Sequence, residues 1–132
     1  MTQFWGGSIT TYVNKNPSFR VYELDAEYLV PVNFSTYIWN ITDPSEGWHM
    51  NYNFLEEYNL PDMSLSSIDN LAARVLSDPD FALKLLNNSH SRGYMADYKE
   101  KSPSINKATY CEMTQSTGFD VLKCEGKEMN IA

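Results

Sequence analysis

The chain has 132 residues and a mass of 15.2 kDa, with 42% hydrophobic residues and ten Lys and Arg against 17 Asp and Glu, a formal charge of −7. That length and apolar content suit one folded domain burying about two-thirds of its unfolded surface, and so few, scattered basic residues exclude a nucleic-acid surface, which needs Lys and Arg clustered along the phosphates. No apolar run approaches the roughly 20 residues of a membrane span, and residues 1–7, MTQFWGG, have neither the basic start nor the apolar core of a signal peptide.

In chain order, Ile9, Thr11 and Val13 alternate with Ser8, Thr10 and Tyr12, and the β-branched content predicts a half-buried strand over 8–13. Asn14, Asn16 and Pro17 are turn formers, which reverse the chain before a second strand over 19–25. Phe19, Val21 and Glu23 then face one way and Arg20, Tyr22 and Leu24 the other, so this strand is expected to be covered on both sides. A third strand is predicted within LVPVNFSTYIWNI, residues 29–41, with Pro31 confining its start to an edge or a bulge. The β content is expected to end there.

Asp43 has the character of an N-cap, Pro44 of a first helical residue and Glu46 of the reciprocal capping partner. Trp48, Tyr52, Leu55 and Tyr58 follow at helical spacing, which predicts a helix weakened in its first turn by Gly47. Leu65, Ile68, Leu71, Ala72, Val75 and Leu76 form one apolar stripe and give the clearest amphipathic helix in the chain. Asp78-Pro79 repeats the cap-then-proline device, ending that helix and opening another with Phe81, Ala82, Leu85 and Leu86 as its apolar side. Gly93 marks the exit. Residues 87–106 are polar and poorly periodic and predict loop, with at most one helical turn near YMADYKE. Two short helices, around ATYCEMTQ and FDVLKCE, bracket Gly118. Strands first and helices after give an α+β chain: a short antiparallel β segment, about 8–41, then a small helical part.

Little in this sequence is shaped for chemistry. His49 and His90 stand 41 residues apart, without H-x-H, H-E-x-x-H or C-x-x-C, and combining them with Cys111 and Cys124 misses the usual zinc spacing. No G-x-S-x-G elbow is present, and FWGGS lacks the Lys and the following helix of a phosphate loop. Glu56-Glu57 and the Asp78/Asp80 pair suit solvated helix surfaces and caps. An independent small enzyme using His49 or His90 is therefore the weakest reading, and a binding module or a part of something larger the stronger ones. Three glycosylation sequons, at Asn33, Asn40 and Asn87, point to secretory ancestry. Cys111 and Cys124, with twelve residues between them, are either two core thiols or a disulfide worth on the order of 3 kcal/mol, depending on the compartment.

Set side by side, TTYVNKNPSFRVYELDAE, STYIWNIT and ATYCEMTQSTGFDVLKC resemble the C-terminal portion of the acid sphingomyelinases and acid sphingomyelinase-like phosphodiesterases, over about residues 8 to 125. The resemblance implies a parent in which a metallophosphatase sandwich holds two zinc ions and hydrolyses phosphodiester bonds of sphingomyelin or nucleotides. It places residues 1–42 among the last strands of that sandwich and 43–132 in a helical C-terminal subdomain. The family's Q-F-x-G segment is similar to residues 3–6, yet Gly7, Ser8 and Ile9 follow where its H-x-H ligand pair is expected, and Lys101 and Ile105 stand where a second disulfide is expected. On this reading the chain binds no cofactor and is a truncated, non-catalytic portion of a zinc phosphodiesterase. It implies a secreted or lysosomal setting, the Cys111–Cys124 disulfide, and Tyr12 as a contact near the substrate pocket. The alternative is an interaction module that binds a lipid headgroup surface or a partner phosphodiesterase through Trp5, Tyr12 and other exposed aromatics, with self-association along exposed strands.

Overall fold

The computed structural model describes residues 6–11, 15–93 and 105–126. Among them are a three-stranded antiparallel sheet and five α-helices, in an α+β arrangement. The described residues fall into two compact units, one comprising 6–11, 15–69 and 87–93, the other 70–86 and 105–126. The helices that follow the sheet region pass from the first unit to the second and back.

In the first unit β1 (Ser18–Leu24), β2 (Pro31–Trp39) and β3 (Trp48–Asn53) are neighbours in chain order. The β1–β2 connection is closed by Asp25, whose Oδ1 accepts from the amides of Glu27 and Tyr28 at 2.9 and 2.8 Å. Pro31 begins β2 beside a bulge, since Glu23 pairs with Asn33 but Leu24 with Pro31. That is the position a residue without an N–H can hold in a ladder.

Two expectations fail here, each for a local reason. The strand predicted over 8–13 is absent from its described part, residues 8–11. Ser8 meets β1 only once through the backbone, where the Ser18 amide donates to Ser8 O at 2.9 Å. The Ser8 amide then turns to the Ser18 hydroxyl at 3.3 Å, and Thr10 N to the Ser8 hydroxyl at 3.2 Å. Serine side chains thus take the bonds a ladder would need. Gly7 fits the same approach, because a Cβ there would lie 2.5 Å from the Ser18 carbonyl oxygen. The second failure is the helix expected from 43 to 58. Asp43 does cap, accepting from Ser45 N at 3.3 Å, but the turn it opens is a single 3-10 turn, Pro44–Glu46. Gly47, at φ 63°, ends it, and Trp48–Asn53 enter the sheet instead.

β3 carries one extra residue. Thr36 pairs with Tyr52 and Tyr37 with Met50, which leaves Asn51 unopposed in a bulge. The bulge lets Trp48 and Met50 lie on one side of the sheet and Tyr52 on the other. The inner side buries Phe34, Thr36, Ile38 and Tyr52. Phe34, 1% exposed, stacks on Phe54 with centroids 4.5 Å apart and meets Tyr52 edge-on at 6.4 Å. The Arg20 guanidinium lies 4.4 Å above the Phe34 ring, a cation held over an aromatic face.

Helix α1 (Phe54–Tyr58) follows β3 directly, capped at its start by Asn53 and closed by Asn59 in the left-handed region at φ 53°. It supplies Phe54 and Tyr58 to the same core. Burial, ahead of the neighbouring Tyr52, pushes the Tyr58 hydroxyl far above the usual tyrosine range, while Asn88 donates to its oxygen at 3.1 Å.

The amphipathic stripe forms α2 (Leu65–Ser77) and Pro79 opens α3 (Pro79–Ser89), where Asp78 Oδ1 accepts from Phe81 N at 3.0 Å. Of the predicted stripe, Leu71, Ala72 and Val75 are buried, but Leu65 and Leu76 are exposed. In the second unit the Arg74 guanidinium covers the Phe81 ring at 3.8 Å. The expected short helices around Gly118 are α4 (Ile105–Thr114) and α5 (Gly118–Glu125). Thr117 caps α5, its Oγ1 accepting from Asp120 N at 3.1 Å and donating to Asp120 Oδ2 at 2.6 Å. Cys111 and Cys124 form a disulfide with Cα atoms 5.7 Å apart, which removes the two-thiol alternative, and Cys111 is fully buried. The helical turn considered near YMADYKE lies outside the described residues.

Candidate functional site

The β1 strand is not covered on both sides as its sequence suggested. Its outward residues Phe19 and Val21 remain 38% and 50% exposed. Register sets Phe19 opposite Tyr37, Tyr37 opposite Met50 and Trp39 opposite Trp48, so all of them share the outer face. Phe19 and Tyr37 stack in parallel at 5.1 Å, Trp48 meets Phe19 edge-on at 5.0 Å, and Trp39 meets Trp48 edge-on at 5.8 Å. Cross-strand aromatic pairs of this kind each stabilise a sheet by roughly 0.2–1 kcal/mol. Trp48 and Met50 are still 42% and 54% exposed. An apolar patch of this kind on a sheet face marks a surface able to receive another molecule.

Behind that face, buried polar side chains fix the segments that flank it. Asn16 donates from Nδ2 to Ser91 O at 2.9 Å and accepts on Oδ1 from Ile41 N at 3.2 Å. Ser91 Oγ donates to Ser18 Oγ at 2.8 Å. Ser91 and Arg92 are both in the left-handed region, at φ 53° and 51°, a costly pair of conformations for residues with side chains. The bonds from Asn16 and to Ser18 hold that turn in place. Thr36 Oγ1 and both amide atoms of Asn51 are buried with no hydrogen-bond partner among the described residues.

The residues singled out from the sequence do not converge. Tyr12 and Trp5 lie outside the described residues. His49 Nδ1 is 3.2 Å from Gly47 O and its Nε2 is 3.7 Å from Glu46 Oε2, so Glu46 faces the histidine and does not complete a capping box. His90 Nδ1 meets Ser89 Oγ at 3.1 Å. Among the described residues no group of three His, Cys, Asp or Glu stands close enough to hold a metal. Asn33 lies near the start of β2, Asn40 just after its end, and Asn87 in the last turn of α3. Sequence reasoning missed the contribution of Trp48 and Met50 to the outer face and the bridging role of Asn16. The first left a signal, the alternation of Trp48, Met50, Tyr52 and Phe54; the second left none beyond an asparagine before a proline.

No family model matches the chain. Against known proteins, it is 33% identical over 84 residues to a sphingomyelin phosphodiesterase of Bos taurus, covering 57% of this chain and 13% of that protein. The chain is similar in sequence to several sphingomyelin phosphodiesterases. Sphingomyelin phosphodiesterase B of Dictyostelium discoideum is 28% identical over 132 residues, 93% of this chain and 20% of its own length. Sphingomyelin phosphodiesterase 2 of Caenorhabditis elegans is 24% identical over 131 residues, again 20% of its length. The chain thus spans 13 to 20% of these curated relatives. The resemblance carried by the T-T-Y, T-Y-x-x-N and cysteine blocks agrees with them. No described helix is long and apolar enough to cross a membrane.

Proposed function

We propose that these residues correspond to the non-catalytic C-terminal portion of a sphingomyelin phosphodiesterase-like enzyme and hydrolyse no phosphodiester on their own. The observation that carries this reading is the match over nearly the whole of this chain to only a fifth of the Dictyostelium relative. In the parent, zinc ions would activate water and neutralise the phosphoryl oxygens. The described residues do not fit such a centre, since no metal-holding cluster stands among them, and no step is assigned to zinc here. In this reading residues 1–42 supply strands to the parent's catalytic sandwich and 43–132 its helical subdomain, although β3 carries the sheet past residue 42. The sequons and the disulfide support a secreted or lysosomal setting. The purified chain is expected to hold far less than one zinc per molecule and to cleave bis(4-nitrophenyl) phosphate at the buffer rate. Two bound zinc ions with turnover above buffer would overturn the reading.

The aromatic outer face favours a second reading, an interaction module for a lipid headgroup surface, with Tyr12 carried over by resemblance as a further contact. Flotation with sphingomyelin-containing vesicles is expected to retain the chain, and Trp48→Ala to lose at least half of the bound fraction while remaining folded. Equal flotation of the two proteins would remove this reading and leave a partner protein as the occupant of that face.

A further inference from the structure

Strand β3 ends the sheet, and its backbone bonds can be followed from one strand to the next. The Trp39 amide donates to Pro17 O at 3.0 Å, so the odd-numbered residues of β2 turn their N–H and C=O groups toward β1. In an antiparallel ladder the next residue turns the other way, which leaves Ile38 to exchange bonds with His49, its partner in register. Trp48 and Met50 stand opposite Trp39 and Tyr37, whose groups already face β1. Their own N–H and C=O groups therefore point away from the sheet, and no described strand lies beyond them.

Such an edge is a template for another strand, and proteins commonly blunt it with a charge, a proline or a covering segment. Residues 48–53, WHMNYN, contain no Lys, Arg, Asp, Glu or Pro. Among the described residues the edge is crossed at Asn51, where Arg92 Nη2 donates to the main-chain oxygen at 3.5 Å. Trp48 and Met50 are left open before it.

We propose that this edge pairs with the same edge of a second copy of the chain, antiparallel about a two-fold axis at His49. Trp48 then exchanges both backbone bonds with Met50 of the second copy, and Met50 does the same with its Trp48. The sequence around His49 selects a second copy over an unrelated strand, because it is complementary to itself. Trp48 and Met50 lie equally far from the axis, so each ring meets a thioether on the outer face, a favourable sulfur–aromatic contact. The row Phe19, Tyr37, Met50 is thereby continued by Trp48 and Trp39 of the second copy. Asn51, where Arg92 crosses, comes opposite Gly47, which brings no side chain against the guanidinium. Next to that glycine stands Glu46, 55% exposed, so the joint sets an Arg92 beside an opposite charge on each side of the axis. With so few residues pairing and a charge of −7 on each chain, the contact is small and the dimer reversible.

The test uses the full chain. Sedimentation equilibrium is expected to show the mass rising with concentration from 15.2 kDa toward twice that value. His49→Lys sets two ammonium groups face to face across the axis and is expected to abolish the rise, with the circular dichroism of the wild type. A mass of one chain up to the limit of solubility, or a folded His49→Lys protein that associates like the wild type, would overturn the proposal. The register is read by cross-linking, because Cys111 and Cys124 are bonded to each other and an introduced cysteine supplies the one free thiol. Residues facing each other at His49 have Cα atoms about 4.5 Å apart, within disulfide reach. Two copies of Met50 are offset by two residues along the strands, about 8 Å between Cα atoms, and lie beyond it. In a glutathione redox buffer His49→Cys is expected to form a covalent dimer about ten times faster than Met50→Cys. Equal rates would overturn the two-fold pairing. If His49→Lys does not fold, the wild-type mass and the two cysteine variants decide.

Discussion

The sheet region and the α4–α5 region are held by opposite means. The sheet rests on a cluster of buried rings, Phe34, Tyr52, Phe54 and Tyr58, with buried asparagine and serine side chains tying its flanks. The α4–α5 pair buries Ile105, Thr109 and Cys111 from α4 and no residue from α5, and a single covalent bridge joins the two helices. The contrast follows from available apolar area. A pair of helices of 10 and 8 residues, one of them without a buried residue, has little surface to exclude from water, and a cross-link replaces burial by restricting the unfolded chain.

The largest effect is expected from Phe34→Ala, which should cost about 3–5 kcal/mol by removing a fully packed ring. Urea unfolding followed by near-ultraviolet circular dichroism measures it, and a loss below about 1 kcal/mol would mean that the sheet does not depend on that ring. Reducing Cys111–Cys124 should cost about 3 kcal/mol and show first in the helical signal. Equal loss of the near-ultraviolet aromatic signal would break the comparison, because the bridge would then serve both regions. Asn16→Ala should cost about 2 kcal/mol, the desolvation of the Ser91 carbonyl and Ile41 amide it strands, and hydrogen exchange at Ile41 should speed up accordingly. Asp78→Ala removes the cap on Phe81 N and should cost about 1 kcal/mol, read as a lower melting temperature.

The smallest effect concerns pH. Hydrogen bonding from Ser64 and Ser67 holds the exposed Asp62 carboxyl below the usual carboxylate range. A depressed folded value means that its contribution is fully present above the unfolded value of about 3.9 and disappears as pH falls through the folded one. Asp62→Asn should therefore lower stability slightly in the neutral region and flatten the acid limb, the two proteins converging as pH falls below the folded value. An unaltered acid limb would show that the serines hold the two forms equally.

Where local chemistry and backbone agreed, the sequence was readable. Pro31 and Pro79, the caps at Asp43 and Asp78 and the stripe Leu71, Ala72, Val75 each act over a few residues, and each appears where its pattern stands. Trp48 to Tyr58 satisfied two periods at once, every second residue and every third or fourth, and Gly47 favoured the strand by ending the turn before it. Over 8–11 the alternation of a strand was present, but serine hydroxyls took the backbone bonds. For the site the difficulty was of another kind. The outer aromatic face is assembled from three strands by register, and the bridge from Asn16 to Ser91 spans 75 residues, a relation no local pattern encodes.

The bulge at Asn51 makes β3 a strand with two parities. On its N-terminal side even-numbered residues belong to the outer face, and on its C-terminal side they belong to the core. Deleting Asn51 would therefore merge the two parities, because Met50 and Tyr52 would become consecutive opposite Tyr37 and Thr36 and every side chain would keep its face. Deleting Met50 or Tyr52 instead would leave that face one residue short opposite its partner on β2. Asn51 is thus the one residue of β3 whose removal changes the bend of the strand and not the membership of its two faces.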